Sequence, residues 1–192
     1  MSAERILTCA LNRFVRQGYD STSLSEIAAD AGIRKPSIYA HFASKKQIFM
    51  KLLELAWEKE RERVEQLATC GDPDALRNYI RAIRERCSED NFLLFWLMAI
   101  YMPPAGLDAE IYKYDALYAE RMDAAIKAAL KIKFHKEALT PGDEIFIDAY
   151  AGIIRCIHAE LLYHGPDHSE SKAKALWKIF ELASPSADRL RD

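Results

Sequence analysis

The segment LSEIAADAGIRKPSIYAHF, residues 24–42, decides the fold of this chain. Its apolar residues recur every three or four positions on either side of Gly32, as expected for two short helices joined by a tight turn. Ala28 is small enough for the second helix to cross over it, and Gly32 can adopt the positive φ that the turn favours. The segment therefore predicts a helix-turn-helix. Its apolar positions are Leu24, Ile27, Ala28, Ala31, Ile33 and Ile38.

The rest of the chain also follows the helical period. Gly18 ends a first amphipathic helix, and Ser23 with Glu26 has the pattern of a capping box that starts a second. Pro36 suits the first turn of a third helix, and Ser44 starts a fourth. Later helices are separated by three polar or Gly/Pro-rich breaks: TCGDPD, YMPPAGLD and LTPGDE. With no alternating strand pattern, we expect an all-α fold of about nine helices.

The second helix of the motif carries side chains suited to reading DNA. In a helix-turn-helix, the N-terminal residues of the second helix enter the major groove. Lys35 and His41 can donate to O6 or N7 of guanine, and the Ser37 hydroxyl can donate or accept. Pro36 and the ring of Tyr39 can contact a thymine methyl group. These residue types predict contacts with base edges.

Two lysines follow at the start of the fourth helix. Ser44 and Gln47 have the pattern of a capping box, which places Lys45 and Lys46 in the first helical turn. A helix N-terminus carries a partial positive charge, so acidic residues are preferred there. A DNA phosphate would supply the missing negative charge, since free backbone N–H groups and ammonium groups bind it together. The alternative is a pair of solvated surface lysines.

Charge is unevenly distributed along the 192 residues. Residues 1–51 carry eight Lys/Arg and four Asp/Glu, a net charge of +4, whereas the remainder carries −6. A basic head on an acidic body predicts that only the head meets a polyanion. The longest apolar run, FLLFWLMAIYM, is too short for a bilayer, which needs about 20 residues. Without a signal-peptide pattern or a CxxC pair, we expect a cytoplasmic protein with reduced cysteines and no membrane partner.

Residues 18–49, GYDSTSLSEIAADAGIRKPSIYAHFASKKQIF, resemble the DNA-binding head of the TetR family of bacterial transcription regulators. The resemblance covers about residues 5–55. One position departs from the family pattern, because the family usually has an acid after the lysine that opens helix four, and this chain has Lys46. The matching positions are Gly18-Tyr19, Thr22-Ser23, Ile27-Ala28, Ala31-Gly32-Ile33, Ser37-Ile38-Tyr39, His41-Phe42 and Lys45.

The resemblance implies a role for each matching residue. Phosphate contacts fall to Thr22, Tyr39 and Lys45, and we interpret Lys46 as one more. Contacts with bases or the groove fall to Ser25, Lys35, Pro36, Ser37, Tyr39 and His41. The resemblance also implies two domains: a helix-turn-helix DNA-binding domain at residues 1–50, and a helical body at 51–192 that binds a small-molecule effector and forms a homodimer.

The C-terminal helices offer surfaces for dimerisation. Residues 145–163 are apolar on nearly every face, so we expect their helix to be buried all round. It is either the central helix of one subunit or a helix between that core and a partner. The following helix is apolar on one side only, and two such helices from each subunit would make a four-helix interface. Two heads about 34–36 Å apart would then match successive major grooves of a palindromic double-stranded DNA operator. The candidate interface residues are Ile153, Ile157, Leu161, Leu176, Ile179 and Phe180.

Aromatic residues cluster between positions 92 and 118. Most of them fit simple core packing, but some could line a cavity, because ligand sites are mostly apolar with a few polar anchors. The family layout places the effector cavity next to Trp96. The candidate effector contacts are Arg61, Phe95, Trp96, Asp115, Tyr118 and His158.

The sequence carries no pattern typical of an enzyme or a cofactor site. HExxH, a glycine-rich phosphate loop and a nucleophile elbow are all missing from it. Glu160 and His164 stand four apart on one helical face and could bind a metal, but we expect none. The sequence thus predicts a ligand-responsive DNA-binding regulator, most simply a repressor released by its effector. The alternative is a DNA-binding interaction or architectural protein without a ligand switch.

Overall fold

A computed structural model describes residues 2–185, and this part of the chain contains helices joined by loops and no strands. Its eight helices and absence of strands confirm the predicted all-α fold, with one helix fewer than expected. The helices are α1 (Ala3–Gln17), α2 (Leu24–Ala31), α3 (Lys35–Ile38), α4 (Lys45–Thr69), α5 (Ala75–Cys87), α6 (Asn91–Tyr101), α7 (Asp108–Lys133) and α8 (Pro141–Ala183).

A break at Gly165 accounts for the difference between the predicted and the observed number of helices. This residue has φ 77° and ψ 179° inside α8, so it interrupts the helix. Pro166 follows and cannot donate a backbone hydrogen bond to the preceding turn. We therefore describe α8 as a first segment, residues 141–164, and a second segment, residues 166–183. These two segments correspond to the last two of the nine helices predicted from the sequence.

The chain forms two compact units. The first comprises the residues up to Lys59 together with Asp90–Lys113, and the second comprises Glu60–Glu89 together with the residues from Tyr114 onward. Each unit therefore draws on separate stretches of sequence, and α4 and α7 contribute residues to both. The functional boundary expected after residue 50 stays a prediction.

An aromatic cluster forms the core of the first unit. The ring centroids of Phe14 and Phe49 lie 5.7 Å apart, and those of Phe49 and Phe95 lie 5.0 Å apart. The rings of Trp57 and Trp96 are 6.0 Å apart, and Trp96 is only 2% exposed. Burying such rings supplies about 1.5–3 kcal/mol each. Phe95 and Trp96, expected as effector contacts, are therefore core residues of the unit that carries the head.

The two segments of α8 supply the core of the second unit. Tyr150 is fully buried, and its hydroxyl donates to the carbonyl oxygen of Leu76 at 2.7 Å. The rings of Phe146 and Phe180 meet edge to face at 5.7 Å. Four residues expected at a dimer interface face this core instead, because α5 packs against the same side of α8. They are Ile153, Ile157, Leu161 and Phe180.

Within residues 2–185, no helix is both long enough and apolar enough to cross a bilayer.

Candidate nucleic-acid interface and effector cluster

Local hydrogen bonds fix the start of α2, and Gly32 shapes the turn between α2 and α3. The Ser23 hydroxyl accepts from the Glu26 N–H at 3.2 Å, and the Glu26 carboxylate accepts from the Ser23 N–H at 2.8 Å. Gly32 has φ 70°, in the left-handed region that favours glycine. The predicted capping box and the predicted positive φ are both confirmed.

The helix after this turn is short, and it exposes a row of polar and aromatic side chains. Ile38 is fully buried and anchors α3. The N–H groups of His41 and Phe42 both donate to the Ile38 carbonyl oxygen, at 2.8 and 2.9 Å, so the helical turn continues beyond α3. The residues that this arrangement exposes are Lys35, Pro36, Ser37, Tyr39 and His41. They are the side chains predicted to face base edges.

Two predicted phosphate contacts are occupied inside the head. The Lys45 ammonium donates to the carbonyl oxygens of Tyr19 at 2.7 Å and Thr22 at 2.8 Å, and lies 4.1 Å from the centre of the Tyr19 ring. Thr22 is 2% exposed, and its hydroxyl donates to the Gly18 carbonyl oxygen at 2.8 Å. The acceptors lie at the C-cap of α1 and in the loop that follows it, where these carbonyl groups accept from the two side chains. Lys45 and Thr22 therefore hold the 18–22 turn, a correction to the sequence-based assignment.

Lys46 and Ser44 start α4 in a different way from that expected. The Ser44 hydroxyl accepts from the Gln47 N–H at 3.1 Å, but the Gln47 side chain accepts from Ala43 at 2.5 Å instead of closing a box on Ser44. Lys46 lies 2.6 Å from the Glu110 carboxylate, and both side chains are partly exposed. This hydrogen bond lowers the pKa of Glu110. Glu110 thus supplies the negative charge that the first turn of α4 lacks.

Arg13 joins the two helices that begin the chain, and the sequence analysis missed it. Its guanidinium contacts Asp30 at 2.5 and 2.8 Å and Glu26 at 3.0 Å. The hydrogen bond from Arg13 lowers the pKa of Asp30. The partners are 13 and 17 residues away in sequence, so no local pattern indicates the pairing. Arg34 was also overlooked, although it is exposed and directly precedes α3.

The second unit contains a buried polar cluster, which we define as Glu60, Arg63, Tyr79, Arg86, Tyr118 and His158. Glu60 is 2% exposed and accepts from Arg63 at 2.8 Å and from Arg86 at 2.9 Å. The hydroxyl oxygens of Tyr79 and Tyr118 are 3.5 Å apart. Arg63, Tyr79 and Arg86 also line an open cavity of about 360 Å³. The polar cluster therefore borders space that a small molecule can enter.

The buried surroundings of His158 change the pKa of its side chain. Its ring centroid lies 6.4 Å from that of Tyr118, and the side chain is buried. Burial, assisted by the charges of Arg86 and Arg155, lowers the pKa of His158 to about 3. Burial and the Glu60 carboxylate raise the pKa of Tyr79. His158 and the Tyr79 phenol are consequently uncharged at neutral pH.

The other predicted effector contacts lie elsewhere. Arg61 pairs with Glu65 at 2.7 Å on the side of α4, and Asp115 is half-buried in α7. Of the six residues, only Tyr118 and His158 belong to the polar cluster. The sequence did not indicate Glu60 and Arg86 as site residues. They lie in the charged runs WEKERERVE and RAIRERC, where no local pattern distinguishes a buried charge from an exposed one.

Over residues 2–185, no three His, Cys, Asp or Glu side chains are arranged to hold a metal ion. Glu160, the acid considered for such a site, pairs with Lys172.

Comparison with known proteins agrees with this geometry. Residues 6–52 match the family model described as "Bacterial regulatory proteins, tetR family". The HTH-type transcriptional regulator AcrR of Shigella flexneri is 42% identical over 72 residues, which is 36% of this chain and 34% of AcrR. The chain spans only about a quarter to two fifths of the length of the curated relatives that it matches first.

Solved structures extend the likeness of fold to the whole chain. The TetR family regulator PfmR from Thermus thermophilus has a TM-score of 0.66 at 21% identity, covering 97% of this chain and 98% of PfmR. SmeT, the repressor of the Stenotrophomonas maltophilia multidrug efflux pump SmeDEF, has a TM-score of 0.68 at 17% identity, covering 95% and 90%. Residues 6–52 thus match the TetR family, and the fold of the chain is that of TetR-family regulators. The resemblance stated from the sequence is confirmed.

Proposed function

We propose that this protein is a homodimeric transcription regulator that represses from a DNA operator and is released by a small-molecule effector. The observation that carries the proposal is the exposed row of side chains in and directly after α3, which follows the left-handed turn at Gly32 within a head that matches the TetR family. The relatives are regulators, which favours this role over that of an enzyme. A cytoplasmic location follows, since the operator is there.

The proposed DNA contacts follow from the exposed side chains of the head. Lys35 and His41 donate to guanine, Ser37 donates or accepts, and Pro36 with Tyr39 contacts thymine methyl groups. Ser25, exposed in the first turn of α2, contacts the groove or the backbone. Phosphate contacts fall to Lys46 and to Arg34, because Lys45 and Thr22 are engaged within the head.

Dimerisation is proposed to use the outer face of α8. Ile145 and Tyr163 are about two-thirds exposed, and the small residues Ala149 and Gly152 lie between them on the same exposed stripe. In the second segment Ile179 is 64% exposed, and Leu182 and the half-buried Leu176 lie beside it. A contiguous apolar surface of this kind favours a protein partner. A symmetric pair of these stripes makes a four-helix interface and matches a palindromic operator.

The polar cluster of the second unit is the proposed effector site. Tyr79 and Arg86 line an open cavity, and Glu60, Tyr118 and the neutral imidazole of His158 complete the cluster. A few polar groups at a cavity set the orientation of a ligand. The effector releases DNA only to the extent that it binds the DNA-free conformation more tightly than the DNA-bound one.

Selection of duplexes from a random pool tests the DNA-binding role. The wild type should enrich a palindromic site, and Lys35→Ala should relax the preference at particular base pairs by about 1–3 kcal/mol. Lys127→Ala, which removes an exposed lysine from α7, is the matched control and should keep the wild-type preference. Failure to enrich any site, or an unchanged preference in Lys35→Ala, would contradict the assignment.

A thermal-shift screen with and without the selected operator tests the switch. A compound that stabilises the protein and weakens operator binding supports an effector. The rival function, a DNA-binding architectural protein without a ligand switch, predicts that every stabilising compound leaves operator affinity unchanged. Tyr118→Phe should reduce the shift caused by a true effector while leaving operator affinity at its wild-type value.

A further inference from the structure

A second groove lies in the second unit, between α5 and the second segment of α8. Its volume is about 760 Å³. The buried residues Ile80, Ala173 and Trp177 form its apolar floor. Its basic residues come from both helices: Arg77, Arg81, Arg84, Lys174 and Lys178. None of these side chains belongs to the polar cluster or to the DNA-binding head.

The positive charge of this groove is only partly neutralised. Three carboxylates also line it, against five cations, which leaves a net charge of +2. One of them, Glu170, is shared between Lys174 at 2.6 Å and Arg84 at 3.5 Å. Arg77 and Lys178 are exposed and form no ion pair with any residue between 2 and 185. An anion placed between them would meet two unpaired charges.

Trp177 gives the floor of the groove a specific chemistry. Its ring is 6% exposed and stacks on Phe180 with centroids 5.3 Å apart. Its indole nitrogen is buried and has no hydrogen-bond partner in the described part of the chain. A buried donor without a partner costs stability, about 1–3 kcal/mol. A ligand acceptor atom reaching this nitrogen, after a shift of the flexible side chains around it, would recover part of that cost.

We propose that this groove binds a small aromatic carboxylate, at a site separate from the polar cluster. The ring lies on the floor made by Ile80, Ala173 and Trp177, and the carboxylate lies between Arg77 and Lys178. The Trp177 ring already contacts Phe180 and the Lys133 ammonium, so the ligand ring is held by apolar burial rather than by stacking. The two cations select an anion over a neutral analogue. Ala173, Lys174 and Trp177 lie on the opposite side of α8 from Ile179, so the proposed dimer contact leaves the floor of the groove open.

Isothermal titration calorimetry of the full chain with sodium 2-naphthoate tests the site. The wild type should bind it, and the neutral 2-naphthalenemethanol should bind at least about fivefold more weakly. Arg77→Gln/Lys178→Gln should weaken naphthoate binding at least about fivefold, since each charge contributes a modest amount. Lys127→Gln/Lys131→Gln removes the same charge from exposed positions on α7 and should stay within about twofold of the wild type.

Two further variants locate the binding. Trp177→Phe keeps an aromatic floor without the indole N–H and should weaken binding about threefold. If Trp177→Phe lowers the melting temperature, the double variant at the exposed residues Arg77 and Lys178 alone tests the proposal. Tyr118→Phe alters the polar cluster and should leave naphthoate binding unchanged. The proposal is overturned by no binding at millimolar naphthoate, by equal affinity in the two double variants, or by loss of binding in Tyr118→Phe alone.

Discussion

The ammonium nitrogen of Lys45 lies 2.8 Å from the carbonyl oxygen of Thr22 and donates a hydrogen bond to it. The same group donates to Tyr19 and lies over its ring. A side chain that the sequence suggested for DNA phosphate thus joins the start of α4 to the turn before α2. Lys45 therefore holds the head together at the position where a phosphate contact was expected, and Lys46 is the lysine that is exposed.

Lys45→Ala should therefore destabilise the protein. Hydrogen bonds from a charged group contribute about 1.5–3 kcal/mol, so the free energy of unfolding should fall by that amount. Lys46→Ala removes only an exposed ion pair and should cost about 1 kcal/mol or less, while reducing the slope of log affinity against log salt by about one. Urea unfolding and operator titrations at several salt concentrations measure both. Equal stability in the two variants would contradict the role of Lys45.

Glu110 pairs with Lys46, which is a proposed phosphate contact. Glu110→Gln should free the ammonium group, and operator affinity should rise about two- to fivefold at low salt, as expected for an exposed ion pair. The gain should shrink as salt screens the charges. Glu137→Gln removes an exposed carboxylate of the second unit and serves as the charge-matched control. An equal gain in both variants would show a general charge effect and remove the specific role of Glu110.

Trp96 is a core residue in this fold. Trp96→Ala should lower the free energy of unfolding by about 3–5 kcal/mol, because a large cavity would open beside Trp57. Tyr112→Ala truncates an exposed aromatic side chain and should change stability by about 0.5 kcal/mol or less. Thermal unfolding of the two variants provides the test. A wild-type melting temperature in Trp96→Ala would contradict the core role of Trp96 and favour an effector contact instead.

His158 should make stability depend on pH. Its pKa is about 3 in the folded chain, against about 6.5 for an ordinary histidine. Between these values the unfolded chain binds a proton that the native protein does not, so stability is fully present above pH 6.5 and falls as the pH drops toward 3. His158→Gln should flatten this dependence in urea titrations, whereas His41→Gln, at an exposed position, should preserve it. Identical pH profiles for all three proteins would rule out the role of His158.

Ile179→Glu should yield monomers, because it places an unpaired charge in the proposed apolar interface. Sedimentation at micromolar concentration measures the change. Leu117→Glu introduces the same charge at a partly exposed apolar residue of α7 and should leave the dimer intact. A monomeric wild type would refute the proposed four-helix interface.

The sequence by itself determined the features that depend on neighbours within one or two helical turns. The Ser23–Glu26 capping box, the left-handed Gly32 and the helical period all arise from contacts across three or four residues, so the pattern predicts them directly. The exposed side chains in and after α3 were predictable for the same reason, since the burial of Ile38 exposes the residues around it.

Only the tertiary structure decided which charges and apolar residues face inward. Lys45 meets carbonyl groups 23 and 26 residues earlier, and Lys46 meets a carboxylate 64 residues later. Ile157 and Ile179 look equivalent in sequence, yet one is buried and the other exposed. Periodicity shows that a helix has an apolar face, but the direction of that face depends on which distant helix packs against it. That choice is made by the summed packing of the whole core, which no local pattern contains.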